Sequence, residues 1–344
     1  MKKPLWYCLA VLSVIVSLAV AGCAGPATPA KPARTIKIGA TIAVTGVQSA
    51  EWGPMGKKFT DEWAKMVNEQ GGISVKEFNA KLPVELTILD DGSNPDRAVE
   101  LYEKFGSVDK VDIFLAPASS PIFIRASTVA EKLGIPMIGA EGNSPTVFSR
   151  GLKWIVGVDR IAPLWSELYF QMLKKQIDAK TVDLKTIAMV VEDTPHTKDI
   201  GDGAQELAKG IGLNVVNVDI VPANTKDFAA SIGKLKSLNA DVVYVSAWIA
   251  NATAFVKQAA ELGLDPKEFH VAHATIGGPS FIKDVGEKLA EKITSESHEA
   301  PFTKGNVKLF RDLQKRAGME DPMAYGWSSV RFIALEAIRN TIEN

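Results

Sequence analysis

Residues 111–139 read VDIFLAPASSPIFIRASTVAEKLGIPMIG, and they contain one complete strand–helix–strand unit. Residues 111–116 form an apolar run that is typical of a buried strand, and residues 121–133 have helical spacing of apolar side chains. Residues 135–139 predict a second short buried strand. Two strands joined by a helix run parallel in one sheet, so the stretch predicts an α/β fold.

The same alternation extends over most of the chain, which predicts two parallel-sheet lobes. Before this stretch we expect strands at 36–40 and 84–89 and helices at 53–70 and 96–105. After Gly157 the predicted elements are 163–175, 187–191, 199–211, 215–220, 226–238, 242–246 and 250–262, followed by helices at 307–317 and 323–341. The predicted domains are a signal peptide at 1–23, a tether at 24–34, lobe I at 35–158 and 299–344, and lobe II at 159–298.

The first 34 residues predict export from the cytoplasm. Two lysines precede an apolar run at 5–20, which meets small residues ending in Cys23. Residues 20–23 resemble the lipobox of bacterial lipoproteins, in which the cysteine is acylated, and the proline-containing segment 24–34 is typical of a tether. The alternative is an ordinary signal peptide that contains Cys23. The only other cysteine, Cys8, lies inside the apolar run, so we expect no disulfide in the mature protein.

Composition excludes several classes of function. The 39 basic and 40 acidic residues nearly balance, so we expect no nucleic-acid partner. The nucleotide-binding glycine motifs and the G-x-S-x-G nucleophile motif are absent from the sequence, so we expect no cofactor. His270 and His273 are three residues apart beside a strand, where side chains point to opposite faces, and they predict no metal site.

Three loops after predicted strands carry the candidate ligand-binding residues. Ligands of open α/β sheets bind outside the carboxyl ends of the strands, so two facing lobes enclose one cleft. The candidates are Trp52 in the first loop, Ser119 and Ser120 before a helix, and Gly142 and Asn143 in the third loop. Each has a structural alternative, which is a lid over the core for Trp52, helix capping by Ser120, and a turn for the third loop.

The region from 36 to 341 resembles the substrate-binding lipoproteins of ABC importers of the leucine/isoleucine/valine-binding type, which have the two-lobed type I periplasmic binding-protein fold. The segments that carry the resemblance are IGA (38–40), TG (45–46), WG (52–53), NEQGGI (68–73), DDGSNP (90–95), GIPMI (134–138), EDTPH (192–196) and TKDF (225–228). Their order and spacing match the family.

The resemblance implies a role for each candidate residue. Ser119 and Ser120 match positions that hold the ligand carboxylate, and Gly142 and Asn143 match the adjoining binding loop. Trp52 matches an aromatic residue of the side-chain pocket. On lobe II, His196 replaces the usual tyrosine, and Trp248 matches an aromatic residue that closes over the ligand.

The sequence departs from the family at three places. Amino-acid binders usually place an acidic residue where this chain has HATI at 273–276, so either Glu141, Glu192 or Asp193 replaces it or the ligand carries no amine. A ligand-contacting His196 predicts affinity that depends on pH between about 5.5 and 7.5. The sequence stops at Asn344, so we expect the C-terminal part of lobe II to be absent, either by truncation or because the lobe is trimmed.

The predicted function is to bind a ligand without catalysing a reaction. We expect an exported receptor, lipid-anchored through Cys23, that closes on an amino acid, carboxylate or amide and presents it to an ABC permease. One alternative is a ligand-sensing receptor domain. The other is an exported α/β hydrolase with Ser119 or Ser120 as the nucleophile.

Overall fold

The computed structural model describes residues 34–49, 53–272, 279–296, 307–319 and 327–344, and residues 36–344 form one contact unit. The signal segment with Cys23, residues 24–33 of the predicted tether, Trp52 and the 273–276 segment lie outside the described residues. None of the helices in the described part of the chain is both long enough and apolar enough to cross a membrane.

Ten of the twelve described strands form two parallel sheets. In chain order the strands are β1 (Ile36–Ile42), β2 (Ile73–Val75), β3 (Ala80–Leu82), β4 (Val84–Asp90), β5 (Ile113–Leu115), β6 (Met137–Gly139), β7 (Ile155–Gly157), β8 (Thr186–Glu192), β9 (Asn214–Val221), β10 (Val242–Ser246), β11 (Glu268–Val271) and β12 (Ile293–Thr294). The first sheet has the order β4-β1-β5-β6-β7 and the second has the order β12-β11-β10-β8-β9. Every strand pair within these two sheets is parallel.

Helices connect the strands. They are α1 (Gly53–Glu69), α2 (Pro95–Lys104), α3 (Ser120–Leu133), α4 (Pro145–Phe148), α5 (Glu167–Asp178), α6 (Pro195–Gly210), α7 (Ala229–Leu238), α8 (Ile249–Glu261), α9 (Pro279–Val285), α10 (Glu287–Ala290), α11 (Val307–Arg316) and α12 (Ser328–Glu343). Because strand carboxyl ends precede most of these helices, the loops at those ends lie along one edge of each sheet.

The central strands are apolar throughout because helices cover both of their faces. All five residues of β10 are buried, and its neighbour β8 is buried at every position after Thr186. Strands covered on both sides have no reason to alternate polar and apolar residues, and this explains the continuous apolar runs of the sequence.

The last two helices return to the first sheet. Phe310 of α11 packs against Phe59 of α1, with ring centroids 6.3 Å apart. The Trp63 indole N–H of α1 donates to Glu336 of α12 at 2.8 Å. These contacts place α12, whose N-terminal end reaches the cleft described below, on the side of the first sheet.

The predicted α/β class and its two parallel sheets are confirmed, and several details differ. The sequence prediction omitted the antiparallel pair of β2 and β3 and the short strands β7 and β12, because strands of two or three residues are too short to produce a clear pattern. Ser119, rather than Ser120, is the N-cap of α3, with Ser120 as its first residue and Pro121 as its second. The Ser119 side chain makes no capping hydrogen bond, so its hydroxyl is left for another partner.

Candidate functional site

Loops at the carboxyl ends of strands from both sheets enclose one cleft. The cleft is partly open to solvent. The residues that line it are Ile42, Ala43, Gln48, Gly53, Asp91, Ala118, Ser119, Ile122, Glu141, Trp248 and Trp327. Strands β1, β4, β5 and β6 of the first sheet and β10 of the second lead into these residues, as parallel-sheet topology predicts for a ligand site.

Ser119 faces this cleft at the start of α3. The residue is buried, and its Oγ atom has no hydrogen-bond partner among the residues that the structure describes. The first N–H groups of a helix have no partner within the helix, and they favour negative charge at that end. Ser119 and the start of α3 therefore offer hydrogen-bond donors to an anionic or carbonyl group in the cleft.

Ser120 is buried beside Ser119 and has a different partner. Its Oγ accepts a hydrogen bond from the backbone N–H of Ser144 at 3.1 Å. The Ser144 hydroxyl in turn donates to Asp199 of α6, so the loop after β6 is joined to a helix of the second sheet. Ser120 thus fixes the position of this loop, and no described histidine bonds to Ser119 or Ser120, as a serine hydrolase would require.

Gly142 and Asn143 lie in the same loop after β6. A side chain at Gly142 would put its Cβ atom 2.6 Å from the Phe123 ring, so the loop passes too close to α3 for any residue but glycine. The Asn143 amide donates to Asp159 at 3.0 Å, and its backbone oxygen accepts from Ala162 N at 3.0 Å. Burial raises the pKa of Asp159 to about 7. Asn143 therefore connects this loop to the segment that enters the second sheet.

His196 lies among three tryptophans at the edge of the cleft. Its ring centroid is 5.4 Å from that of Trp165, 5.2 Å from that of Trp248 and 6.4 Å from that of Trp327. Two of these indoles, Trp248 and Trp327, line the cleft, whereas His196 is buried behind them. We call these four rings the aromatic wall. Residues from the side of the second sheet and from the N-terminal end of α12 contribute to it.

Trp248 is held by polar contacts on its own lobe. Its backbone N–H donates to Glu192 Oε2 at 2.9 Å, and its indole N–H donates to Thr194 Oγ1 at 3.3 Å. Burial raises the pKa of Glu192 to about 7. An acidic group therefore lies behind the aromatic wall and titrates near neutral pH.

Buried charged groups from the first sheet and α12 also lie at the cleft. Arg331 Nε and Glu141 Oε1 are 2.7 Å apart, and both side chains are almost completely inaccessible to solvent. Asp91 is also fully buried, and its Oδ1 accepts a hydrogen bond from Ser93 N at 2.9 Å. Burial raises the pKa of Asp91 and of Glu141, and for Glu141 the Arg331 guanidinium opposes that shift. We call Asp91, Glu141 and Arg331 the cleft floor.

The structure brings together some of the predicted residues and adds others. Ser119 and Trp248 line the cleft, whereas Ser120, Gly142, Asn143 and His196 do not belong to its described lining. Sequence reasoning missed four residues of this region, which are Asp91, Trp165, Trp327 and Arg331. A signal was available for the last pair, because a tryptophan and an arginine four residues apart share one face of a helix.

The sequence predicts that His270 and His273 do not form a metal site. His270 is buried, and its ring nitrogens contact Thr294 Oγ1 and Glu296 Oε1, each at 2.9 Å, whereas His273 lies outside the described residues. Among the residues that the structure describes, no cluster of three or more His, Cys, Asp or Glu side chains is arranged to hold a metal ion. His270 has a structural role in the second sheet.

Comparison with known sequences identifies relatives of the chain. A sequence model of the periplasmic binding protein family matches residues 35–341. The chain is 25% identical over 282 residues to Leu/Ile/Val-binding protein homolog 7 of Brucella abortus (strain 2308), an alignment that spans 77% of this chain and 69% of that protein.

Two solved structures have a similar fold. One is the branched-chain amino acid transporter substrate binding protein LivJ of Streptococcus pneumoniae, in complex with isoleucine, with a TM-score of 0.74, 18% identity, and coverage of 89% of this chain and 83% of that chain. The other is a solute binding protein of an ABC transporter from Rhodopseudomonas palustris BisB5, in complex with 3,4-dihydroxy benzoic acid. Its TM-score is 0.66, with 21% identity and coverage of 90% of this chain and 82% of that chain.

These comparisons confirm the predicted two-lobed type I binding-protein fold and the resemblance to the leucine/isoleucine/valine-binding type. The relatives are solute-binding proteins and not enzymes, in agreement with the prediction that the chain catalyses no reaction.

Proposed function

The chain belongs to the periplasmic binding protein family, and we propose that it is the solute-binding component of an ABC importer. In this proposal it binds a small organic solute between its lobes outside the cytoplasm, closes around it and delivers it to permease subunits. No bond is made or broken. The ligand contacts both lobes and so binds the closed state better than the open state, which is what drives closure.

One observation carries this proposal. Loops from both sheets line the same cleft, with Ser119 and the start of α3 on one side and Trp248 on the other. A ligand held there contacts both lobes at once. Flat aromatic side chains cover a ligand with little loss of rotamer entropy, which suits Trp248 as the closing residue.

The proposed ligand is a branched-chain or other amino acid, or a related small carboxylate or amide. Two similar folds support this range, since one was solved with isoleucine and the other with 3,4-dihydroxy benzoic acid. Both ligands carry a carboxylate, and Ser119 at the start of α3 is suited to bind one.

We also propose that Cys23 is acylated and that its acyl chains anchor the protein to the outer face of the membrane across which it is exported. Two or more acyl chains give stable attachment to a bilayer. Metabolic labelling with a fatty-acid probe tests the anchor, with labelling expected for the full chain and lost in Cys23→Ala. Labelling that persists in the variant contradicts the anchor without affecting the proposal of solute binding.

A thermal-shift panel of amino acids, short amides and small carboxylates tests the binding function. A ligand at 100 times its dissociation constant stabilises the native state by ~2.7 kcal/mol. We expect at least one member to raise the melting temperature and Trp248→Ala to weaken that effect. Trp154→Ala is the matched control, because Trp154 is 42% exposed and does not line the cleft. A panel without any stabilising compound contradicts the proposed ligand range.

A further inference from the structure

The loop after β6 connects α3 to the second lobe, and we call its residues 140–144 the junction loop. Its Gly142 lies so close to α3 that an added Cβ atom would be 2.6 Å from the Phe123 ring. Its Asn143 donates to Asp159 at 3.0 Å, in the segment that leads to the second sheet. The junction loop therefore packs against α3 without spare room, so a displacement of one displaces the other.

Ser144, at the end of the junction loop, has hydrogen bonds to both lobes. Its backbone N–H donates to Oγ of Ser120, which is the first residue of α3. Its hydroxyl accepts from Thr146 N at 3.3 Å and donates to Asp199 of α6, on the second lobe. Asp199 is thus connected through Ser144 and Ser120 to the start of α3, where Ser119 lines the cleft.

Asp199 receives this hydrogen bond from the other lobe and not from its own helix. Its neighbour Lys198 pairs with Asp193 at 3.1 Å instead. The Asp199 carboxylate is half-buried, and burial raises its pKa while the bond to Ser144 opposes that shift. A carboxylate that loses water needs a donor, and here the first lobe supplies it. The bond therefore forms when α6 lies against the junction loop and is lost when the lobes separate.

A second contact between the lobes has a different character. The Trp327 ring of α12 lies 5.3 Å from that of Trp165, measured between centroids. Aromatic contacts tolerate a range of ring arrangements, whereas a hydrogen bond to a carboxylate requires a short distance and good alignment. The bond between Ser144 and Asp199 therefore specifies the position of α6 in the closed form more closely than the rings do.

From these contacts we infer that Asp199 is a positioning residue that couples lobe closure to the start of α3. In the closed form it accepts from Ser144 and so holds the junction loop and the N-terminal end of α3 against the ligand. This inference rests on the proposed solute-binding function. Asp199 lies outside the cleft lining, so it slows ligand release without contacting the ligand. A contact made only in the closed form acts on release and not on encounter.

Stopped-flow tryptophan fluorescence on the full chain tests the inference, with isoleucine and 3,4-dihydroxybenzoate as the probes. Asp199→Ala is expected to raise koff about 10-fold, the lower end for a hydrogen bond to a charged group, because Asp199 is half-buried. The association rate is expected to stay within about twofold. Asp199→Asn keeps an acceptor for the Ser144 hydroxyl and is expected to retain most of the slow release.

Two further variants separate this role from a general effect on α6. Asp202→Ala removes a carboxylate from an exposed position of the same helix, where it accepts from Gln205, and is expected to leave koff unchanged. Ser144→Ala removes the other partner of the bond. Adding Asp199→Ala to it is expected to cause no further increase in koff, because the same bond is lost only once.

A cross-link tests the contact between the lobes without a ligand. Oxidation of the full chain carrying Ser144→Cys with Asp199→Cys is expected to join the junction loop to α6, because the two side chains are in hydrogen-bond contact. Mass spectrometry of the digested protein detects the linked peptides. Ser144→Cys alone is the control for pairing with Cys8 or Cys23.

The outcomes separate the inference from the function on which it rests. If Asp199→Ala releases the probe at the wild-type rate, if its effect adds fully to that of Ser144→Ala, or if no cross-link forms, the positioning role is refuted and solute binding stands. If neither probe binds, a stabilising compound of the thermal-shift panel replaces them. If that panel contains no ligand either, both the proposed function and the inference are refuted.

Discussion

The molecule contains two buried polar clusters that differ in the groups that they pair. In the second sheet, His270 contacts Thr294 and Glu296 with its two ring nitrogens, and the Tyr169 ring stacks on it at 3.6 Å. In the cleft floor, Arg331 Nε lies 2.7 Å from Glu141 Oε1, so a guanidinium and a carboxylate are paired away from solvent. Removing one member of a buried ion pair leaves the other charge uncompensated, so the floor is expected to be more sensitive to single substitutions than the second-sheet cluster.

The largest expected effect comes from breaking the ion pair of the cleft floor. Arg331→Met leaves Glu141 as an uncompensated buried charge, and such changes cost about 3–5 kcal/mol of unfolding free energy. Urea unfolding followed by circular dichroism measures the loss. A double variant, Glu141→Leu with Arg331→Met, removes both charges and is expected to recover most of it.

The second-sheet cluster provides the control for this prediction. His270→Leu also removes a partner from a buried carboxylate, Glu296, and is expected to lower stability by about 2 kcal/mol. It lies outside the cleft lining, so ligand affinity is expected to remain unchanged. A double variant of the floor that is no more stable than Arg331→Met alone contradicts the account of the ion pair.

An intermediate effect on the free energy of unfolding is expected from the titration of Glu192, which lies behind the aromatic wall. Its pKa is raised from 4.5 to about 7 in the folded protein, so the folded state binds more protons than the unfolded state between these values. Stability therefore falls as pH rises through this window, by about 2 kcal/mol between pH 5 and pH 8. Urea unfolding at both pH values measures the difference.

Glu192→Gln removes this titration and isolates it from that of Asp159, whose pKa is also raised to about 7. The variant is expected to lose a large part of the stability difference between pH 5 and pH 8. If the change in unfolding free energy between pH 5 and pH 8 is the same in the variant and in the wild type, groups other than Glu192 cause it.

The smallest expected effects on stability are those of alanine variants of the adjacent residues Ser119 and Ser120. Ser120→Ala removes the acceptor of Ser144 N and is expected to cost about 1 kcal/mol of unfolding free energy. Ser119→Ala removes a hydroxyl that has no partner in the described part of the chain, so its expected cost is below about 0.5 kcal/mol, with a fall in ligand affinity instead. Equal stability losses in urea unfolding would show that Ser119 Oγ has a structural partner.

The fold could be predicted from the sequence because its signals are local. Continuous apolar runs such as 187–191 and 242–246 indicate strands that are covered on both faces. The loops after the strands indicate the edge of each sheet at which a ligand binds. Ser119, which was chosen in this way, lines the cleft, and so does Trp248, which the family resemblance implied. Their roles in ligand binding remain predictions.

The rest of the candidate site depends on contacts between distant segments. Trp327 and Arg331 come from α12, and their helical spacing matches that of a core helix, so the sequence contains no sign of which loop they reach. Asp90 and Asp91 are adjacent at the end of β4, and no sequence pattern says which of them faces the cleft. Asp90 accepts a hydrogen bond from Thr45, whereas Asp91 is buried and lines the cleft.

The aromatic wall has an optical consequence. Three of the seven tryptophans of the chain surround one imidazole, and two of these indoles form part of the cleft surface. Indole emission depends on the groups around the ring, so any change in the surroundings of Trp248 and Trp327 alters the emission of the protein. The unlabelled chain thus contains intrinsic fluorophores in the surface of the cleft.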